Sequence, residues 1–556
     1  MPVTQAGSLP DLCTSSLQSN ISTAPTDLHT KDSTLGASHE ADARNIALHG
    51  PKISVTCTRF SDKLRSPMGA ANQSCDLNQA IVNASNSVSS MPFDWFVSLV
   101  DTMVERCYST LELEMPQAHA KLLLLKLSNL LLLKYECVHK HTTLVSYPFS
   151  LIVDPANGCS LHCPACVHTS SDNARNFNWP AGFLTESLFW AFLDEYGPYG
   201  VDLYFANYGE PLLNKLTPRF IQMARRFGLP TYSSTSLSLK TINFEELVLS
   251  GLQLLILSID GATSTTYVQY RRNGNFGLVI DNIRKLVAAK RRLNSYTPIL
   301  HWQFLVFEHN VHEVEEVKQL AAALGVNQLS LVTPYDVAWD DPSILIKEDW
   351  PNEILFFDCN MDAYKAALDQ MLVDLNDEVI DRHFRRKWWD RITSNRAPCH
   401  GASTPAGYHN WHSDHITRVT NVPIASEDEN KRARVGRDGR KCCDWLYKNI
   451  TMDATGRIMP CARPPAIDAN LVFADSFREG RFNSELHRLA RQFFRNPVGY
   501  SAEVADKPSG ELPFCSSCPH TNTVLDIDTQ HVRQHLDNIG LYKGLSEEAK
   551  VALTDW

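Results

Sequence analysis

Residues 150–166 read Ser-Leu-Ile-Val-Asp-Pro-Ala-Asn-Gly-Cys-Ser-Leu-His-Cys-Pro-Ala-Cys. The opening four residues are a short apolar run, and Asn157-Gly158 is a turn signal, so a strand is predicted here and not a helix. Cys159, Cys163 and Cys166 then share one loop directly after that strand. Three thiolates at this spacing can hold three irons of a 4Fe–4S cube. No fourth cysteine lies near them in sequence, so the fourth iron is left open to a small ligand. Structural zinc normally takes a fourth protein ligand. The plainer reading, cysteines used as small buried apolar residues, leaves the spacing unexplained.

Around the loop, strands alternate with amphipathic helices. Strands are expected at 150–153, 202–205, 231–234, 254–259, 301–307 and 328–332. Helices are expected between them at 186–196, 216–227, 244–250, 276–292 and 311–324. This order predicts an α/β fold, a partial (β/α)6 barrel of the TIM type spanning 147–340. Such folds carry their chemistry at the C-terminal ends of the strands, where the cysteine loop falls.

The flanking segments differ in texture. Residues 1–90 are rich in Ser and Thr with few large apolar side chains, and read as disordered. Residues 91–146 read as a helical cap. Their leucine-rich stretch 122–133, broken by Lys126, Ser128 and Asn129, predicts a buried or docking helix. An irregular insertion at 341–440, a compact cysteine-bearing module at 441–525 and a helical tail at 526–556 follow.

Composition sets the remaining bounds. With 556 residues, 44% of them hydrophobic and 21% charged, the chain is globular and large enough for more than one folding unit. Lys plus Arg number 52 against 62 Asp plus Glu, a net charge of -10. That excludes a global basic field, and no specific nucleic-acid partner is expected. No apolar run is long enough for a membrane span, and no export signal is visible. A cytoplasmic location is expected, where the 15 cysteines stay reduced and available as ligands.

The CX3CX2C loop after the first strand of a β/α barrel resembles the radical S-adenosylmethionine (SAM) enzymes. Further positions between 147 and 340 match. Tyr208-Gly209-Glu210-Pro211 is similar to the family's glycine–glycine–glutamate motif, with Tyr208 in place of the first glycine. The resemblance implies that this segment binds the methionine ammonium, with Glu210 supplying a charge-assisted hydrogen bond. It also implies ribose and carboxylate contacts from the end of the third strand, at Ser234 and Ser236. Ser258-Ile259-Asp260-Gly261 and Tyr270-Arg271-Arg272 resemble the fourth-strand pattern. Read without the resemblance, Asp260 is as readily a helix or turn cap as a ligand contact, and Arg271 a solvated arginine at a helix start ahead of a carboxylate clamp. Ala165 departs from the aromatic residue many members carry before the last cysteine.

A second group comprises Cys443, Cys461, Cys515 and Cys518. Residues 450–459 read as a β-hairpin turning at 453–456, which returns Cys461 beside Cys443. Four thiolates make either a closed iron–sulfur cluster or a zinc site. The arrangement resembles the SPASM or shorter twitch module of radical SAM proteins and so implies one auxiliary 4Fe–4S cluster. Cys442 adjoins Cys443, whose spacing to Gly456 and Cys461 fits better.

The resemblance implies two 4Fe–4S clusters and SAM as cofactors, an external electron donor such as flavodoxin or ferredoxin, and a 5′-deoxyadenosyl radical that abstracts hydrogen from an unactivated C–H bond. With the auxiliary cluster accepting an electron, the expected outcome is a two-electron oxidation, either dehydrogenation or cross-linking, of a peptide or a sugar or aminocyclitol. Epimerisation is the alternative, with Cys359, Cys399 or the spare member of Cys442 and Cys443 as hydrogen donor. A non-catalytic zinc-stabilised interaction protein is the alternative of another class. His409, His412 and His415, the basic run 431–441 and the pair Trp388-Trp389 remain open as metal-binding, anion-binding and stacking or packing elements.

Overall fold

A computed structural model describes residues 75–164, 166, 181–334, 343–395, 443, 445–459, 487–488, 490–492 and 529–556. Nine described strands form one sheet: β1 (Ser150–Val153), β2 (Asp202–Phe205), β3 (Thr231–Thr235), β4 (Leu254–Ser258), β5 (Ile299–Leu305), β6 (Gln328–Val332), β7 (Glu353–Phe356), β8 (Asn449–Met452) and β9 (Ile458–Met459). Their order is β7-β6-β5-β4-β3-β2-β1-β8-β9. Strands β1 to β6 are parallel and adjacent in chain order, the winding of a β/α barrel. The barrel is open, because β6 pairs with antiparallel β7 and not with β1.

The expected helices between these strands are present, and their caps are local. Thr185 accepts from the Leu188 N–H at the start of Glu186–Tyr196, and Asn275 from the Leu278 N–H at the start of Phe276–Arg292. A further helix, Ser264–Tyr270, lies between β4 and Phe276–Arg292. It is too short to show a period in the sequence.

The two faces of the sheet differ. Leu151, Leu203, Phe205, Leu255, Leu257, Trp302, Phe304, Leu329 and Leu331 are buried in the main core. The opposite alternation carries Tyr204, Ser234, Ser258, His301, Gln303 and Ser330, several of them partly exposed. Strand alternation explains both sets at once: residues two apart share a face.

Three helices, α1 (Leu77–Ser87), α2 (Phe93–Leu111) and α3 (Gln117–Val138), cap the sheet. Helix α1 lies inside the stretch expected to be disordered, a correction at 75–90. Leu77, Ile81, Ala84 and Val88 recur at helical spacing and are buried, a signal masked by the polar residues around it. The α3 segment is buried nearly all round, including Lys126, Ser128 and Asn129. Its polar breaks are satisfied: Asn129 exchanges two hydrogen bonds with the Tyr147 backbone, at 2.9 and 2.8 Å, just before β1. Trp388 packs here, its indole N–H on the Ser128 hydroxyl at 3.1 Å. Cys75, just before α1, and Cys107 of α2 are paired as a disulfide.

Two connections were not foreseen. The hairpin β8–β9 is present, but β8 joins the barrel sheet as a parallel neighbour of β1. The tail helix Gln530–Asn538 covers the N-terminal end of the sheet, where His531 and His535 face Asp202 at 3.7 and 3.5 Å. No helix among the described residues is long and apolar enough to cross a membrane.

Candidate active site at the cysteine loop

The C-terminal end of β1 is held on three sides. Asp154, fully buried, accepts from the backbone N–H groups of Asn207 at 2.7 Å and Tyr208 at 3.1 Å. Glu210 N–H donates to the Gly158 carbonyl at 2.8 Å. Gly209 lies so close to β1 that a Cβ built on it would stand 1.6 Å from the Ala156 carbonyl oxygen. On the other side, Asn157 accepts from Ala454 N–H at 2.8 Å, which ties in the hairpin turn. That turn needs Gly456 at φ +88 and is closed by the buried Asp453–Arg457 ion pair.

Within this frame, Cys159, Cys163 and Cys166 share one small cluster with Leu161, Tyr270, Phe307 and Ile344. His162 N–H donates to the Arg272 carbonyl at 2.9 Å, and the Asn273 amide to the Ser160 carbonyl at 2.7 Å, so the loop is stitched to the end of Ser264–Tyr270. Burial pushes the Cys159 thiol up to about 12, with Glu210 adding to the rise. Burial also pushes Cys163 up to about 11, against the pull of Arg271. Three thiolates gathered here would require added positive charge from a bound group. No other described cysteine joins the group, and among the described residues no three His, Cys, Asp or Glu side chains close on a single metal ion, so the donor set gathered here is three thiols spread along one loop.

The other candidates divide into those facing a ligand space and those already engaged. The Glu210 carboxylate is 3% exposed and takes four donors: Thr235 hydroxyl at 2.7 Å, Ser236 N–H at 2.9 Å, Ser236 hydroxyl at 2.8 Å and Leu212 N–H at 3.3 Å. It fastens the end of β2 to the end of β3, and Ser236 is spent on that contact. Ser234 is half-buried on the polar face, with its hydroxyl 3.0 Å from that of Ser258. Tyr208 is buried beside Asp154.

Arg271 corrects the expectation of a solvated residue at a helix start. It ends the helix Ser264–Tyr270, is 6% exposed, and pairs with the fully buried Asp260 at 2.5 Å. Asp260 also accepts from Leu305 N–H at 2.7 Å. The Arg271 Nη1 lies 3.8 Å from the Cys163 sulfur.

Asp154, Asn157 and Asn207 are buried polar positions beside the cysteine loop that sequence reasoning missed. The acid of Asp154-Pro155 at the end of an apolar strand was the available signal. Asn207, 9% exposed, has neither Oδ1 nor Nδ2 paired among the described residues.

Cys443 is half-buried and packs on the main core, two residues before the helix Trp445–Lys448 that leads into β8. It therefore lies toward the N-terminal end of the sheet, away from the cysteine loop. Cys359 follows antiparallel β7 and lies at the same end, since Phe357 N–H meets the Asn327 carbonyl just before β6. Cys399, Cys442, Cys461, Cys515 and Cys518 lie outside the described residues, as do the three histidines 409, 412 and 415 and the basic run 431–441.

No family model matches the chain. Over 170 residues it is 29% identical to an AdoMet-dependent heme synthase of Methanosarcina barkeri (strain Fusaro / DSM 804), a match covering 30% of this chain and 45% of that protein. The chain thus spans less than half of that relative. Solved structures with a similar layout include Streptococcus suis SuiB bound to S-adenosylmethionine, 12% identical over 66% of this chain and 71% of that one, with a TM-score of 0.36. Native anSMEcpe with bound AdoMet is 15% identical over 67% of this chain and 96% of that one, with a TM-score of 0.33.

Proposed function

We propose that this chain, a relative of the radical SAM enzymes, binds SAM at a 4Fe–4S cluster held by Cys159, Cys163 and Cys166 and oxidises a polar, uncharged substrate. When bound, the cluster and SAM supply the electron and the carbon-centred radical that removes hydrogen from an unactivated C–H bond. The protein's own part is placement. Gly209 lets the segment 207–210 lie directly on the backbone after β1, so the two motifs are in main-chain contact. Leu161, Tyr270, Phe307 and Ile344 wall the loop with apolar surface and keep water from it.

The substrate reading draws support from the polar sheet face. Tyr204, Ser234 and Gln303 are partly exposed there, Ser258 and Ser330 are buried and bonded to Ser234 and His301, and burial pulls His301 down to about 4, so it is neutral near pH 7. Uncharged donors and acceptors suit a peptide backbone or a sugar-like polyol. An auxiliary cluster on Cys443, Cys461, Cys515 and Cys518 would take the second electron and make the net reaction a two-electron oxidation. An external one-electron reductant completes the cycle.

The observation carrying this reading is the gathering of three cysteines at the C-terminal end of β1 against the 207–210 segment. Its test is anaerobic reconstitution followed by SAM and dithionite, with 5′-deoxyadenosine and iron as readouts. SAM cleavage that disappears in Cys163→Ala, with about eight irons per wild-type chain, is expected for two four-iron clusters. Zinc in place of iron, or iron with no SAM cleavage, refutes it.

A further inference from the structure

We infer that Arg271, locked by Asp260, is a positioning residue that sets the reduction potential of the cysteine-loop cluster through Cys163. The inference rests on the reading above that Cys163 is a cluster ligand. Three buried groups stand in line. Leu305 N–H fixes one carboxylate oxygen of Asp260 at 2.7 Å, and the other oxygen takes Arg271 Nε at 2.5 Å. The far side of the guanidinium then presents Nη1 to the Cys163 sulfur at 3.8 Å, within reach of an N–H···S hydrogen bond. The ring of Tyr270 lies 5.1 Å from the guanidinium carbon and closes the space around it.

The chemistry follows from charge. An arginine remains protonated at any working pH, so this contact cannot switch off by titration. Hydrogen bonds to ligand sulfur and net local charge are among the determinants of iron–sulfur potentials. Reduction adds a negative charge to the cluster. A cation beside Cys163 favours that state, and the carboxylate behind it opposes it, at longer range. The pair therefore acts on the cluster with two opposite signs, and Asp260 holds the guanidinium where its own effect is larger.

The experiment uses the full chain reconstituted anaerobically, with an EPR-monitored redox titration in the absence of SAM and iron content measured alongside. Arg271→Gln is expected to shift the midpoint to more negative potential, and Asp260→Asn to more positive potential, both with wild-type iron. Arg271→Lys keeps the charge without the fork geometry and is expected to fall between wild type and Arg271→Gln. A purely structural pair would move both variants the same way, or leave the potential unmoved with iron retained, and either result overturns the inference. If Arg271→Gln fails to hold iron, Asp260→Asn decides: a negative or absent shift there overturns it. A wild-type chain that assembles no cluster overturns both this inference and the reading beneath it. A wild-type cluster whose potential ignores these changes overturns this inference alone.

Discussion

Replacing Gly209 with alanine drives a methyl group into the backbone of β1. The added carbon would stand 1.6 Å from the Ala156 carbonyl oxygen, 2.7 Å from the carbonyl carbon and 3.2 Å from the Gly158 oxygen. All three are main-chain atoms, so no side-chain rotation relieves the overlap. To restore van der Waals contact the two segments must part by more than an ångström. That separation removes the Glu210 N–H to Gly158 bond, worth about 1 kcal/mol, and loosens two donors on buried Asp154, for about 3 kcal/mol together. Gly158, across this contact from Gly209, is the internal control. A Cβ there meets nothing within 4 Å, so Gly158→Ala should change stability by about 0.5 kcal/mol or less. Urea unfolding of the two variants, paired with iron content after reconstitution, separates them. Gly209→Ala should lose both stability and iron. Equal midpoints for the two variants, or Gly209→Ala within about 0.5 kcal/mol of wild type, would refute the claim that backbone approach joins the two motifs.

Three further outcomes are open to measurement. Asn207→Leu replaces a buried amide with no partner among the described residues, so unfolding should be unchanged or shifted to higher urea by about 1 kcal/mol or more; a clear loss of stability would mean the amide is structurally bonded. His301 has its pKa pulled by burial from 6.5 to about 4. The group depresses on folding, so its stabilising contribution is complete above 6.5 and is lost as pH falls toward 4; at pH 5 the loss is about 2 kcal/mol. His301→Gln should therefore flatten the fall in stability between pH 7.5 and pH 5 by about that amount, and parallel pH profiles would contradict the burial argument. Cys163→Ala should abolish formation of 5′-deoxyadenosine, whereas Cys359→Ala, at the other end of the sheet, should leave it intact.

The alternating barrel pattern was legible because strand and helix periods are local. β1, β2 and β6 begin and end where apolar runs meet turn signals. Partner choice is not local, and that is where reading the chain stopped short. Nothing in residues 450–459 states that β8 lies against β1 and not within a separate module, because both placements bury the same alternate residues. Arg271 shows the same limit. Its burial depends on Asp260 and Cys163, 11 and 108 residues away in the chain, and on a short helix with no periodic signature. The cysteine spacing, by contrast, is a local pattern readable within eight residues. Glu210 was singled out in the sequence as a ligand contact, whereas the four donors it takes come from the end of β3 and its own turn. Its visible work is to fasten strand ends.

The position of Cys443 has a consequence for electron movement. It enters the sheet from the N-terminal side of β8, and β8 runs parallel to β1, whose C-terminal end bears the cysteine loop. The four paired residues of β1 and β8 separate these ends by roughly 13 Å at about 3.3 Å per residue. Any cluster anchored on Cys443 therefore stands apart from the first, on the same rigid sheet, and cannot share ligands with it. On the function proposed above, that separation would leave such a cluster to accept electrons and not to chelate substrate. Swapping the candidate ligand distinguishes the two roles: Cys443→Ala should reduce iron by about half while uncoupled SAM cleavage persists. Loss of SAM cleavage together with the iron would place Cys443 in the first centre's support and refute the separation.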